Sequence, residues 1–92
     1  MNDTNNVFER CNRGDFDNKL PYVGRNDPAR AAFDQHQRDL HDEFRKSLFE
    51  TFDVANHPKR DKVFALAWER GHSAGFYEVA NEFADLVDLI KD

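Results

Sequence analysis

Apolar side chains recur every three or four residues along two long stretches of this chain, and a proline stands at the head of each. That combination leaves few folds open. The first stretch carries Ala29, Phe33, Leu40, Phe44, Leu48 and Phe52, which on a helix of 3.6 residues per turn fall on one stripe. Asn26-Asp27-Pro28 is a helix start in its expected order: Asp27 can accept from unpaired first-turn amides, and Pro28 loses no hydrogen bond at the first helical position. The second stretch carries Val63, Phe64, Ala67, Trp68, Gly71, Ala74, Gly75, Val79, Phe83, Val87 and Ile90 behind Pro58. The spacing predicts helix one over residues 28–53, a reversal through Asp53 to His57, and helix two over residues 58–91.

Gly71 and Gly75 each weaken a helix interior by ~1 kcal/mol relative to alanine, yet the apolar stripe runs through them without a change of phase. One continuous helix two is therefore the expectation, with Ala67, Gly71 and Gly75 forming a small-residue groove that another helix can approach closely. Folding the chain about Asn56 sets Leu48 opposite Phe64, Phe44 opposite Trp68, Leu40 opposite His72 and Phe33 opposite Val79. Residues 1–27 hold too many Asn, Gly and Pro for a long helix and read as an irregular arm, with a short helical turn near Thr4 to Arg10. The arm is expected to lie against the helices and bury some of its aromatics. The fold class is thus all-α, a single domain over residues 1–92: an antiparallel hairpin of two long helices with the arm packed on it. Two helices alone make a thin core, so the arm, a second copy or a partner has to cover the remaining apolar face.

Composition narrows the function. Thirteen basic against eighteen acidic side chains give a formal charge of −5, which disfavours non-specific attraction to a nucleic acid backbone. Cys11 is the sole cysteine, so no disulfide can close within the chain, and a reducing compartment is expected. The N-terminal residues are polar, and no run approaches the ~18 apolar residues of a membrane span. The expected location is the cytoplasm.

No phosphate-binding glycine loop, nucleophile elbow, zinc-finger spacing or dinucleotide fingerprint is present. Glu69-Arg70-Gly71-His72 places a carboxylate and an imidazole on one helical face, and the hairpin brings His41 near them. With no second copy this is half a metal site, and an ordinary polar interface is the preferred reading. Arg13-Gly14-Asp15 reads as a turn. No catalytic residue, metal or cofactor is expected, and the chain reads as a non-enzymatic protein. Two charged features stand out instead. Glu78, Glu82, Asp85 and Asp88 follow at steps of four, three and three and project as an acidic ridge on helix two. Lys59-Arg60-Asp61-Lys62 puts base at the start of that helix, against the preference of the helix dipole. Helix two is then basic at the hairpin tip and acidic toward its other end. The residues expected to contact a partner are Glu78, Glu82, Asp85, Lys59, Arg60 and Lys62, with Phe16 and Tyr22 as aromatic anchors.

The stretch His57-Pro58-Lys59, then Ala67-Trp68-Glu69-Arg70-Gly71-His72-Ser73-Ala74-Gly75, Glu78-Val79 and Leu86-Val87-Asp88-Leu89-Ile90, resembles small uncharacterised proteins of tailed bacteriophages. The resemblance covers about the C-terminal third and carries no functional residues with it. It implies a protein of the host cytoplasm that binds and disables a host enzyme or a defence complex such as a CRISPR effector. The alternative is a self-associating module, a homodimeric helical bundle. Nucleic acid binding through the Lys59 to Lys62 tip ranks below both.

Overall fold

The computed structural model describes residues 6–91, and among these every regular element is a helix. There are four: α1 (Val7–Arg13), α2 (Arg30–Thr51), α3 (Arg60–Gly71) and α4 (Phe76–Val87). The short turn expected near Thr4 to Arg10 lies a few residues later, as α1; its expected start at Thr4 falls outside the described residues.

Each helix end has a local cause. Asn6 Oδ1 accepts from Phe8 N–H at 2.9 Å and caps α1. Gly14, at φ 77°, closes that helix in the left-handed region, where Asp15 N–H reaches back to the Arg10 carbonyl. At the head of α2, Asp27 Oδ1 accepts from Ala29 N–H at 2.8 Å and the Asp27 carbonyl from Arg30 N–H. The Asp27-Pro28 start thus acts one turn ahead of the regular helix. α2 ends where Asp53 enters the left-handed region at φ 57°, with Val54 N–H bonded to the Phe49 carbonyl and Asp53 N–H to the Glu50 carbonyl.

Helix two is not one helix. The chain turns at His72 to Gly75 and comes back as α4, so the long two-helix hairpin expected from the sequence gives way to α2 packed beside a shorter α3–α4 hairpin. The glycines explain the break. Gly75 sits at φ 117°, ψ 176°, a conformation that L side chains rarely adopt, and it starts α4 in a new direction. A β-carbon on Gly71 would stand 2.8 Å from the Val79 amide nitrogen and 2.9 Å from the Glu78 carbonyl carbon. The small-residue notch therefore receives the backbone of α4, not helix one. Phase runs on through the turn because both halves bury the same face.

The register across the hairpin changes with it. Phe33 does not meet Val79; it is buried outside the main core, with the Tyr22 ring edge-on at 5.8 Å and the Arg30 guanidinium over it. α2 still runs against α3 in opposite direction: His41 meets Trp68 at 4.7 Å, Phe44 meets Phe64 at 6.3 Å, and Arg45 reaches Asp61 at 3.4 Å.

Phe44 and Leu48 of α2, Val63, Phe64 and Ala67 of α3, and Val79, Phe83 and Val87 of α4 form the core. The arm completes it. Val7 and Phe16 are fully buried, Phe16 lying edge-on to Phe44 at 5.2 Å, and Val7 N–H donates to Thr51 Oγ1 at 3.1 Å. Each such buried side chain contributes roughly 1.5–3 kcal/mol.

Candidate functional site

His57 joins the two ends of the α3–α4 hairpin. Its Nδ1 accepts from Lys59 N–H at 3.0 Å, so Nε2 carries the proton and donates to the Ile90 carbonyl at 3.0 Å. Lys91 Nζ adds a bond to the Phe52 carbonyl at 2.9 Å. The C-terminal end of α4 thus lies beside the start of α3. The charge separation expected along one long helix is folded up: the basic residues at the start of α3 and the acidic residues Asp85 and Asp88 share one end of the molecule.

The contact residues expected from sequence divide into four groups. Lys59, Lys62, Asp85 and Tyr22 are exposed, Tyr22 by 80%. Glu78 and Glu82 are half-buried at the α3–α4 seam, where Glu82 comes within 4.0 Å of Arg70. Arg60 is occupied within the fold, its Nη1 donating to the His57 carbonyl at 2.7 Å and its guanidinium lying over Phe49. Phe16 is a correction: with 2% of its surface exposed it is a core residue and cannot anchor a partner. It is buried because α1 and its glycine cap turn the arm back over α2.

The exposed strip of α4 is Tyr77, Asn81, Asp85 and Asp88, successive positions three and four apart. Tyr77 was not singled out by the sequence pattern. It is 46% exposed, and its ring is steadied from below by Phe8 at 5.3 Å. An exposed tyrosine of this kind can anchor a protein partner, with Asp85 and Asp88 about two turns or more further along the strip.

A second feature lies where the arm, the middle of α2 and the α3–α4 turn meet. It is a cleft of about 630 Å³ with Trp68, His41, Phe76 and Phe16 among its aromatic walls, and Asp17, Asp34 and Asp42 on its polar side together with Arg38. His72 does not join His41 and Glu69 in a metal site. Its ring stacks on Trp68 with the planes 14° apart and its Nδ1 lies 2.9 Å from the Trp68 carbonyl, while Glu69 is exposed. Among the described residues no three His, Cys, Asp or Glu side chains come together to hold a metal ion.

Cys11 is half-buried, and burial, reinforced by the Asp17 carboxylate, pushes its thiol up to about 11. A thiol held protonated at neutral pH is a poor nucleophile. Arg13-Gly14-Asp15 is indeed a turn, in which Arg13 and Arg10 hold the Asp15 carboxyl below its ordinary range. No described helix is long and apolar enough to cross a membrane.

No curated protein and no solved structure matches the chain. Residues 17–91, which take in α2, α3, α4 and the cleft lining other than Phe16 but not α1, match a protein family of unknown function (DUF8546). The chain belongs to that family.

Proposed function

We propose that this is a non-enzymatic binding protein that works in the host cytoplasm as a phage-encoded inhibitor, covering a functional surface of a host enzyme or of a defence complex such as a CRISPR effector. The observation that carries the binding part of this reading is the exposed strip of α4, with Tyr77 rigid on Phe8 and Asp85 and Asp88 free of the internal ion pairs among the described residues. Carboxylates placed this way speed encounter with a basic partner, and the tyrosine supplies contact area at little entropic cost. The inhibitory role rests on the resemblance of residues 57–90 to small phage proteins. Self-association loses its original motive, because the arm fills the core that two helices would have left thin.

The test is affinity capture from bacterial lysate with the parent chain beside a variant carrying Tyr77→Ala and Asp85→Lys. A partner held at low salt by the parent and lost with the variant supports the reading. Equal recovery of every retained protein by both baits refutes it.

A further inference from the structure

The cleft between α2, the arm and the α3–α4 turn combines two kinds of surface. Trp68, His41 and Phe76 give it aromatic walls, and Asp17 and Asp42 are exposed carboxylates on its polar side. The charges are not all free. Asp34 is committed to Arg30 at 3.1 Å, and Asp42 stands 3.9 Å from an Arg45 that also reaches Asp61. Asp17 enters none of the ion pairs among the described residues. Arg38, the opposing charge, is held to the Gln35 side-chain oxygen at 2.9 Å on α2. With Asp34 drawn to Arg30 and Asp42 shared with Arg45, Asp17 is the carboxylate left to face an incoming cation, and the Trp68 and Phe76 rings attract cations as well.

We infer that this cleft binds an arginine side chain of a partner protein, the guanidinium stacking on the aromatic wall and bonding to Asp17 and Asp42. This rests on the binding function proposed above and names the chemistry the partner presents. Arginine is favoured over lysine because its flat, weakly hydrated guanidinium can stack and bond to a carboxylate at once. The chain treats its own arginines in the same way: Arg10 lies over Phe16 at 4.8 Å, and Arg45 and Arg60 lie over Phe49 at 5.9 and 5.8 Å. The volume, about 630 Å³, is that of a ligand-sized cleft and exceeds what one side chain fills, so flanking backbone enters with it.

Trp68 is the only tryptophan and lines the cleft, so its emission reports occupancy directly. The full chain is titrated with a short peptide bearing one central arginine, beside otherwise identical peptides with citrulline or norleucine. The expected result is a saturable change with the arginine peptide, weakened by salt, at least tenfold weaker with the neutral peptides and in a variant carrying Asp17→Asn and Asp42→Asn. Both aspartates are exposed, so the variant keeps the core intact. No saturable change up to about 10 mM peptide, or equal binding of the citrulline peptide, overturns the proposal. The capture test on α4 uses different residues and no peptide, so its outcome stands apart from this one.

Discussion

Asp53 shows how much one backbone angle can decide. It is the one described non-glycine residue at positive φ, and it holds that angle so that Val54 can bury itself and return a hydrogen bond to Phe49. The left-handed region costs an ordinary side chain on the order of 1 kcal/mol, and glycine is free of that cost. Asp53→Gly is therefore expected to raise stability by about 0.5–1 kcal/mol, the greater freedom of glycine in the unfolded chain offsetting part of the gain. A shift of the urea midpoint upward at constant slope checks it, and a shift downward would show that the aspartate side chain contributes more than the strain removes. The sequence begins the reversal at Asp53 but does not show its left-handed angle, since left-handed caps are ordinarily glycine or asparagine. Tyr77 is obscured for a related reason: of two consecutive aromatics, Phe76 and Tyr77, the sequence does not say which faces in, and only the rotation of α4 decides.

At the scale of elements, the start of α2 was legible because Asp27 and Pro28 act through local bonds, whereas its end falls at the left-handed turn of Asp53, well before the proline that marks the reversal in the sequence. The turn at residues 72–75 was not legible from periodicity. A straight helix and a tight hairpin both leave Gly71 on the buried side, so the stripe alone cannot distinguish them. What separates the two is a distance, the 2.8 Å between a β-carbon on Gly71 and the Val79 nitrogen. Gly71→Ala is expected to destabilise the protein by roughly 1–3 kcal/mol despite the better helix propensity of alanine, because the obstacle is backbone and cannot rotate away. Chemical denaturation of the variant reads this directly; a neutral or stabilising result would mean that α3 and α4 are not seated as described.

For the whole molecule, the decisive assignment was the arm. Its composition pointed to an irregular chain packed on helices; the described part holds the helix α1, and composition did not say which aromatics would be inside. Phe16 stands between two aspartates and Tyr22 in the apolar run Leu20 to Val23, the reverse of what their burial would suggest, and only the fold separates a core side chain at 2% exposure from a surface one at 80%. Phe16→Ala is expected to cost about 3–5 kcal/mol and Tyr22→Ala less than ~1 kcal/mol, compared by thermal or urea unfolding. Comparable losses at the two sites would place the arm differently. The charged contact residues fared unevenly for the same reason: spacing along a helix gives their angular positions, whereas burial at the α3–α4 seam depends on where the second half of the stripe comes to rest.

The Gly71 seat also bears on the order in which the chain can assemble. α3 and α4 are joined by only a few residues and touch at a point next to their turn, so bringing them together surrenders little loop entropy. The stretch between α1 and α2 is longer and its docking sites, Phe44 and Phe76, lie on two separate helices that must already be in place to receive it. Loop entropy thus favours the sequence-local pair as the nucleus and the N-terminal segment as a late arrival, closing over a framework built without it.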